Sequence, residues 1–400
     1  MIVVAGHICL DIAPELGPDA ANVGETFKPG LLLEIGPARL CVGGVVANTG
    51  VALHQLGIPV RLIGKVGDDV FGRAILETLS AYDSAFAQRI SVAGGEQTSY
   101  TIVISRPNVD RMFLHYPGAN DSFSADDIDY DLVSRARIFH FGYPPAMKRI
   151  YENEGAELGE IFRRVKARGV LTSLDMVMPD PSTTAGRADW RSILKNVLPL
   201  VDIFLPSIEE ILLMLEPDLF HELTGASDEQ GLTSILSRDY FSQIAEQLLQ
   251  MGASIVGLKA GNRGLYLRTG DLRNGLIAID REAWSRRELW APCFKVDVVC
   301  TSGAGDATVA GFLAGLVHGL TPAQVLTAAV ATGACKVKSI DTVGDIVSWR
   351  ELQEQIAAGW DRVPLNIEGT GWRFDERESV WEGQHDFGIT PVGKATTELQ

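Results

Sequence analysis

Val298-Val299-Cys300-Thr301-Ser302-Gly303-Ala304-Gly305-Asp306-Ala307-Thr308 runs without a break into a stretch in which Val309, Phe312, Leu313, Leu316 and Val317 fall at i, i+3, i+4, i+7 and i+8. That period belongs to a helix laid over a sheet. Gly303 and Gly305 carry no Cβ, so successive backbone N–H groups can converge there, and the helix start adds its own unpaired N–H groups and positive dipole end. The combination makes an anion hole. Asp306, in the first turn, has two readings. It can be a carboxylate that stabilises a helix N-terminus by a few tenths to about 1 kcal/mol, or a general base beside an anion cradle, activating a hydroxyl for attack on a phosphoryl group. The spacing alone leaves both open.

Outward from this segment the chain alternates short β-branched runs with longer helical periods. Ile2–Ala5, Val60–Ile63, Ile138–Phe141, Val170–Leu174, Asp202–Leu205, Ile255–Leu258 and Leu265–Arg268 are the strand candidates. Val45, Thr49, Ala52, Leu53 and Leu56 share one helical face. Nearly continuous apolar strands alternating with helices imply a mainly parallel sheet buried on both faces, and ligands of such sheets sit beyond the carboxyl ends of the strands. Thr98 to His115 alternates around Arg106-Pro107-Asn108 and is expected to form a hairpin apart from the main sheet. Glu216 to Asp239 is polar and weakly periodic, an insertion. Pro364 to Gln400 carries seven acidic and three basic residues and two tryptophans, a tail that wraps the domain through Trp372 and Trp381 or stays mobile.

Composition narrows the function classes. The 400 residues carry 35 Lys+Arg against 51 Asp+Glu, a formal net charge of −16, which disfavours a dedicated nucleic-acid binder because phosphate-backbone affinity comes from clustered Lys and Arg. At 46% hydrophobic and 22% charged the chain is globular rather than disordered. Cys9, Cys41, Cys293, Cys300 and Cys335 are scattered, with no C-x-x-C, so reduced thiols in a cytoplasmic protein are expected rather than disulfides or zinc. Met1 to Ile12 reads as a first strand, not a signal peptide. Ala307 to Cys335 is broken by His318 and Pro322 and reads as two packed helices, so no membrane is expected.

Three further segments bear candidate chemistry. Gly43-Gly44-Val45-Val46-Ala47-Asn48 opens a helix; the glycine pair admits a close ligand and Asn48 offers donor and acceptor, although a plain helix start fits equally well. Asp11, read as lying near the end of the first strand, would face the same crevice. In Gly257-Leu258-Lys259-Ala260-Gly261-Asn262-Arg263-Gly264, Lys259 meets phosphate or is a surface lysine before a hairpin. Ser207-Ile208-Glu209-Glu210 is a helix start capped by the serine, and one glutamate of the pair is a candidate for holding hydrated Mg²⁺ indirectly. There is no Walker loop, no dinucleotide fingerprint after a strand, no nucleophile elbow and no H-E-x-x-H, and the seven histidines lack ligand spacing.

Taken in order, G-G-x-x-x-N, then Gly64-Lys65-Val66-Gly67-Asp68-Asp69-Val70-Phe71-Gly72, then Gly118-Ala119-Asn120, then G-A-G-D, the motifs resemble the ribokinase-like (PfkB) carbohydrate kinase family from Ile2 to about Ile356. The resemblance implies a three-layer α/β/α fold with a mainly parallel central sheet and a small β lid. It divides the chain into a kinase domain over 1–363, with a lid hairpin at about 98–115 and the insertion at about 216–239, and a tail over 364–400. It implies ATP-dependent transfer of a γ-phosphoryl group to a hydroxyl of a sugar or related small carbohydrate. Asp306 then corresponds to the catalytic base, and the amides of Gly303, Ala304 and Gly305 to the anion hole. Lys259, Gly261 and Gly264 fall on the ATP side, Asp11, Gly43, Gly44 and Asn48 on the substrate side, and Glu210 on indirect Mg²⁺ binding.

Three positions depart from the family pattern. Cys300-Thr301 replaces the usual Asp-Thr, which leaves potassium activation open. Ser207-x-x-Glu210 replaces Asn-x-x-Glu, and Lys259 stands where many relatives have Thr. A nucleoside kinase of the same fold is the alternative, and a non-catalytic sugar-binding protein a remote one. Tyr100, Arg111 and His115 on the hairpin are candidates for substrate choice, and an exposed lid strand is a candidate for pairing into a homodimer.

Overall fold

The structure, a computed structural model, describes residues 1–16, 30, 32–106, 109–226, 231–272, 279–339, 344, 346–367 and 371–387; side chains of 105–111 and 226 are outside the description. In chain order the strands are β1 (Ile2–Gly6), β2 (Cys9–Pro14), β3 (Ala38–Gly43), β4 (Val60–Gly67), β5 (Ile90–Ala93), β6 (Tyr100–Arg106), β7 (Val109–Tyr116), β8 (Ile138–Gly142), β9 (Leu171–Asp175), β10 (Ile203–Phe204), β11 (Ile255–Lys259), β12 (Leu265–Thr269), β13 (Glu288–Ala291), β14 (Arg373–Asp375) and β15 (Val380–Glu382).

The main sheet has the order β14-β15-β13-β12-β11-β10-β9-β8-β1-β4-β5. From β5 to β11 every pairing is parallel, and β12, β13, β15 and β14 continue it antiparallel. Side-chain alternation divides the parallel strands between two cores: Ile2 and Val4 of β1 join one, Val3 and Ala5 the other. The first core is closed by helices Val45–Gln55, Ala304–Val317 and Pro322–Lys336, the second by Lys148–Lys166, Trp190–Val197, Ile208–Leu215 and Arg238–Gln250. This is the three-layer arrangement that continuous apolar strands demand. Each of the seven strand runs read from sequence is a strand of this sheet, six of them to within a residue at either end, while Val60–Ile63 continues to Gly67. Among the described residues no helix is long and apolar enough to cross a membrane, and Cys9, Cys41, Cys293, Cys300 and Cys335 are free thiols.

The lid is larger than a hairpin. β6 and β7 pair antiparallel as expected, but they belong to a four-stranded sheet of order β3-β2-β6-β7. Pro107 and Asn108 of the expected turn lie outside the described residues. Asp11 belongs to this second sheet, so its expected place on the first strand is corrected. The chain leaves β1 at Gly6, whose φ of 125° suits glycine, and restarts at Cys9. Asn120 fixes that break: it accepts from the Ile8 N–H at 3.2 Å and donates to the Ile8 carbonyl at 2.9 Å. The Gly64–Gly72 segment mounts the lid from the other side. Asp69 caps helix Val70–Tyr82 through Gly72 N–H at 2.8 Å and also accepts from the N–H and hydroxyl of Thr98 at 2.8 and 2.6 Å, just ahead of β6.

The polar stretch after Leu215 is helical rather than irregular, over Pro217–Ala226 and Leu232–Ile235, because Leu219, Phe220 and Leu223 supply a face that packs on the second core. The described part of the tail adds β15 and β14 to the sheet, and Trp372 packs against Tyr266 and Trp290. The carboxylate of Glu288, fully buried, anchors it by accepting from the His385 N–H at 2.8 Å and the Tyr266 hydroxyl at 2.7 Å.

Candidate active site

Five neighbouring parallel strands, β1, β8, β9, β10 and β11, deliver a polar residue at or just past their carboxyl ends: His7, Tyr143, Asp175, Ser207 and Lys259. Helix Ala304–Val317 brings its N-terminus to this edge. Gly303 caps it with φ 76° and ψ −1°, a left-handed turn that a Cβ would disfavour. The Ala304 N–H already donates to the Thr301 carbonyl at 3.1 Å, so meeting an anion requires it to leave that bond.

Asp306 is 3% exposed. Its Oδ2 accepts from Asn48 Nδ2 at 2.9 Å and from the Tyr143 hydroxyl at 2.8 Å, and its Oδ1 from Tyr143 at 2.9 Å and Thr49 at 3.4 Å. Burial raises its carboxyl above the usual range, with Lys259 and these hydrogen bonds pulling the other way. Asn48 reaches it because Gly44 caps helix Val45–Gln55 at φ 84°, with a Cβ there only 2.6 Å from His7 Nδ1 and from the His7 carbonyl. At Gly43 a Cβ would stand 2.6 Å from Asp11 Cγ, so the glycine pair lets the lid strand β2 close down on this helix. The structure thus joins Asp11, Gly43, Gly44 and Asn48 with Asp306.

On the other side of Asp306, Lys259 Nζ pairs with Asp175 Oδ1 at 2.6 Å, both side chains being nearly enclosed. A Cβ on Gly305 would lie 3.6 Å from Lys259 Nζ, which places the ammonium at the glycine turn. Burial opposes the charge on Lys259, but Asp175, Glu210 and Asp306 outweigh it and hold the ammonium. Asp175 is pushed upward by burial and by Glu210 and Asp306, against the pull of Lys259. Glu210 forms a capping box with Ser207: its Oε2 accepts from Ser207 N–H at 2.7 Å while its own N–H donates to Ser207 Oγ at 3.2 Å. Gly261 (φ 53°) and Gly264 (φ 94°) turn the chain between β11 and β12; a Cβ on Gly264 would collide with the Ala291 carbonyl, so that glycine lets the end of β13 lie against the turn. Among the described residues no cluster of three or more His, Cys, Asp or Glu is arranged to hold a metal. Asp175 Oδ2 is buried without a hydrogen-bond partner beside Lys259, which suits a carboxylate waiting for a hydrated cation that travels with phosphates.

The sequence reading did not single out Tyr143, Asp175, Thr49 or His7. The signal for the first two was position: Gly142-Tyr143-Pro144-Pro145 and Leu174-Asp175 each end a parallel strand on the ligand edge. Both ring nitrogens of His7 are buried without partners, facing His115 of the lid at 5.1 Å and Tyr143 at 6.0 Å between ring centroids. Burial first, then His115, keeps the His7 imidazole well below its ordinary pKa and neutral. His115 accepts or donates to Thr101 Oγ1 at 3.0 Å, and the Tyr100 ring packs on Phe71 and Tyr116. The Arg111 side chain lies outside the described residues.

Residues 20–348 match the family model described as pfkB family carbohydrate kinase. An uncharacterized sugar kinase of Archaeoglobus fulgidus is 28% identical over 269 residues, 67% of this chain and 87% of that protein. Fructokinase-2 of Oryza sativa is 27% identical over 318 residues, 78% of this chain and 79% of that protein. Among solved structures, Arabidopsis thaliana ribokinase with ribose and ATP superposes with a TM-score of 0.64 at 20% identity, covering 88% of this chain and 97% of that one. Fructokinase of Xylella fastidiosa with bound ATP gives 0.65 at 20% identity, covering 89% and 98%.

Proposed function

The chain belongs to the pfkB family of carbohydrate kinases and is an ATP-dependent sugar kinase, and from that premise we propose that Asp306 is its general base and that the acceptor sugar lies between the lid and helix Val45–Gln55. The carrying observation is the buried Asp306 carboxylate, held by Asn48, Thr49 and Tyr143 one residue past Gly305 and its neighbouring Lys259 ammonium. The acceptor O–H gives its proton to Asp306 as its oxygen bonds to the γ-phosphorus. The bond from that phosphorus to the ADP oxygen breaks, and ADP leaves. The amides of Gly303 and Gly305, that of Ala304 once it leaves the Thr301 carbonyl, the helix N-terminus and Lys259 meet the charge on the transferring group, so catalysis is positioning plus electrostatics. Magnesium entering with ATP neutralises phosphate charge; Glu210, through water, and Asp175 are the carboxylates that would hold it.

Asp11, His7, His115 and Asn48 make the acceptor side a hydroxyl-reading pocket with neutral imidazoles. The Archaeoglobus and rice relatives carry sugar kinase and fructokinase names, which favours a sugar over a nucleoside. One face of the lid exposes Leu40 and Leu114 at 58% and 56%, in register through Ile12 and Ile102, an apolar face that supports a homodimer through the lid. The test is ATP consumption with Mg²⁺ on a panel of ketoses, aldoses and nucleosides. A sugar is expected to drive stoichiometric ADP release, whereas turnover on nucleosides alone would refute the reading.

A further inference from the structure

The two carboxylate oxygens of Asp306 offer about four acceptor sites. Asn48 and Thr49 occupy two, and the single phenolic proton of Tyr143 is shared between the oxygens across the remainder, at 2.9 and 2.8 Å. An acceptor hydroxyl that is to lose its proton to Asp306 must displace one of these donors. Asn48 and Thr49 are buried on helix Val45–Gln55, whose first turn is tied to the His7 carbonyl through the Val46 N–H at 3.2 Å. Tyr143 is mounted differently. It is one left-handed residue, φ 66° and ψ 43°, between Gly142 and Pro144, it is only partly buried, and its N–H bond to the Asp175 carbonyl is long at 3.3 Å. A non-glycine residue there is held by its surroundings rather than by its own preference.

We propose that the Tyr143 hydroxyl is a removable plug: in the sugar-free enzyme it fills the position on Asp306 that the acceptor hydroxyl takes during transfer, and it denies that position to water while ATP is bound. The inference rests on Asp306 being the base. Without the plug, a water in the vacated position loses its proton to Asp306, its oxygen bonds to the γ-phosphorus and the bond to ADP breaks. The product is ADP plus inorganic phosphate, and Asp306 passes its proton to solvent. Tyr143 is a guarding and positioning residue, not a chemical participant in sugar phosphorylation. A sugar arriving beside His7 and His115, whose rings lie 6.0 Å from Tyr143 and 5.1 Å from His7 respectively, is placed to push the phenol aside.

Tyr143→Phe tests this, because it keeps the ring and the backbone and removes only the hydroxyl. With Mg·ATP and no sugar, ADP release is expected to rise on the order of tenfold or more, the weight of one hydrogen bond to a charged group. The ratio of sugar-free to sugar-driven ADP release should rise, with KM for the sugar that drives the wild type unchanged or lower. Tyr143→Phe combined with Asp306→Asn should lose the leak. Sugar-free ADP release equal to wild type overturns the proposal, as does a collapse of sugar turnover with no leak, which would make Tyr143 an orienter of the base. A leak that survives Asp306→Asn overturns it too. Absence of sugar turnover in the wild type would instead defeat the kinase reading, so the two failures are distinguishable.

Discussion

Replacing Lys259 by methionine separates the electrostatics of this site from its packing. Lys259 Nζ and Asp175 Oδ1 are 2.6 Å apart, with the side chains 13% and 1% exposed. Removing the ammonium leaves a buried carboxylate with no counter-charge and with Oδ2 already unpartnered. Breaking a buried pair in this way costs about 3–5 kcal/mol, while methionine preserves most of the apolar stem. With an unfolding entropy of roughly 2.1 cal/mol/K per residue, that loss lowers Tm by about 4–6 °C for a chain of 400 residues. Adding Asp175→Asn to Lys259→Met removes the stranded charge and should restore most of the loss.

The pH dependence has a definite sign. Burial already holds the Asp175 carboxyl above its ordinary value, and Lys259 is the group that pulls it back. Without Lys259 the folded-state value rises further. A carboxyl whose folded pKa is raised destabilises the fold only as pH climbs above its unfolded value, near 4, and does so increasingly up to the folded value. Lys259 itself is raised and stays protonated throughout this window. Because Asp175 already sits at about 7 in the wild type, the deficit of Lys259→Met against wild type is small near pH 5, opens as pH climbs past about 7 and keeps growing up to the higher value of the variant, read by thermal melts followed by circular dichroism. Equal losses in the single and double variants, or a deficit independent of pH, would refute the reasoning.

Gly43→Ala places a Cβ against the Asp11 carboxylate and should raise KM for the sugar by about tenfold or more, with KM for ATP within about twofold; equal effects on both substrates would contradict the assignment of this turn. Glu210→Gln keeps the capping box with Ser207 but removes the charge, so the Mg²⁺ concentration for half-maximal rate should rise several-fold, on the order of one screened carboxylate interaction, and an unchanged metal titration would argue against Glu210. Light scattering should give twice the 43.3 kDa chain mass for the wild type and the single mass for Leu114→Asp. A wild-type monomer would refute the lid dimer.

Most of the central sheet could be read from sequence because parallel strands buried on both faces are unbroken apolar runs, as in Ile2–Gly6, or nearly so, as in Ile138–Gly142 with His140 at its centre. The lid was harder. β2 and β3 are half-exposed, and the break between β1 and β2 depends on Gly6 and a distant Asn120, which no local pattern announces. Asp11 was consequently assigned to the wrong strand. Asp306, Asn48 and the glycines were visible because anion holes and close approaches need backbone features with sequence signatures. Tyr143 and Asp175 were not, since their roles arise from β8 and β9 being neighbours of β1 and β10, a fact of topology. The tail strands depend on Trp372 and on Glu288 far upstream, so the two tryptophans pointed to a wrapping tail while no local pattern announced its strands.

The account stands most directly on Asp306. Turnover of Asp306→Asn should be measured on the sugar that drives the wild type, alongside nucleotide affinity by titration. Asparagine keeps the shape, and one oxygen for Asn48 and Tyr143, but cannot take the acceptor proton. The expected result is a loss of about 10²–10⁴-fold in kcat with ATP affinity within about twofold. Turnover within a few-fold of wild type would contradict the central claim.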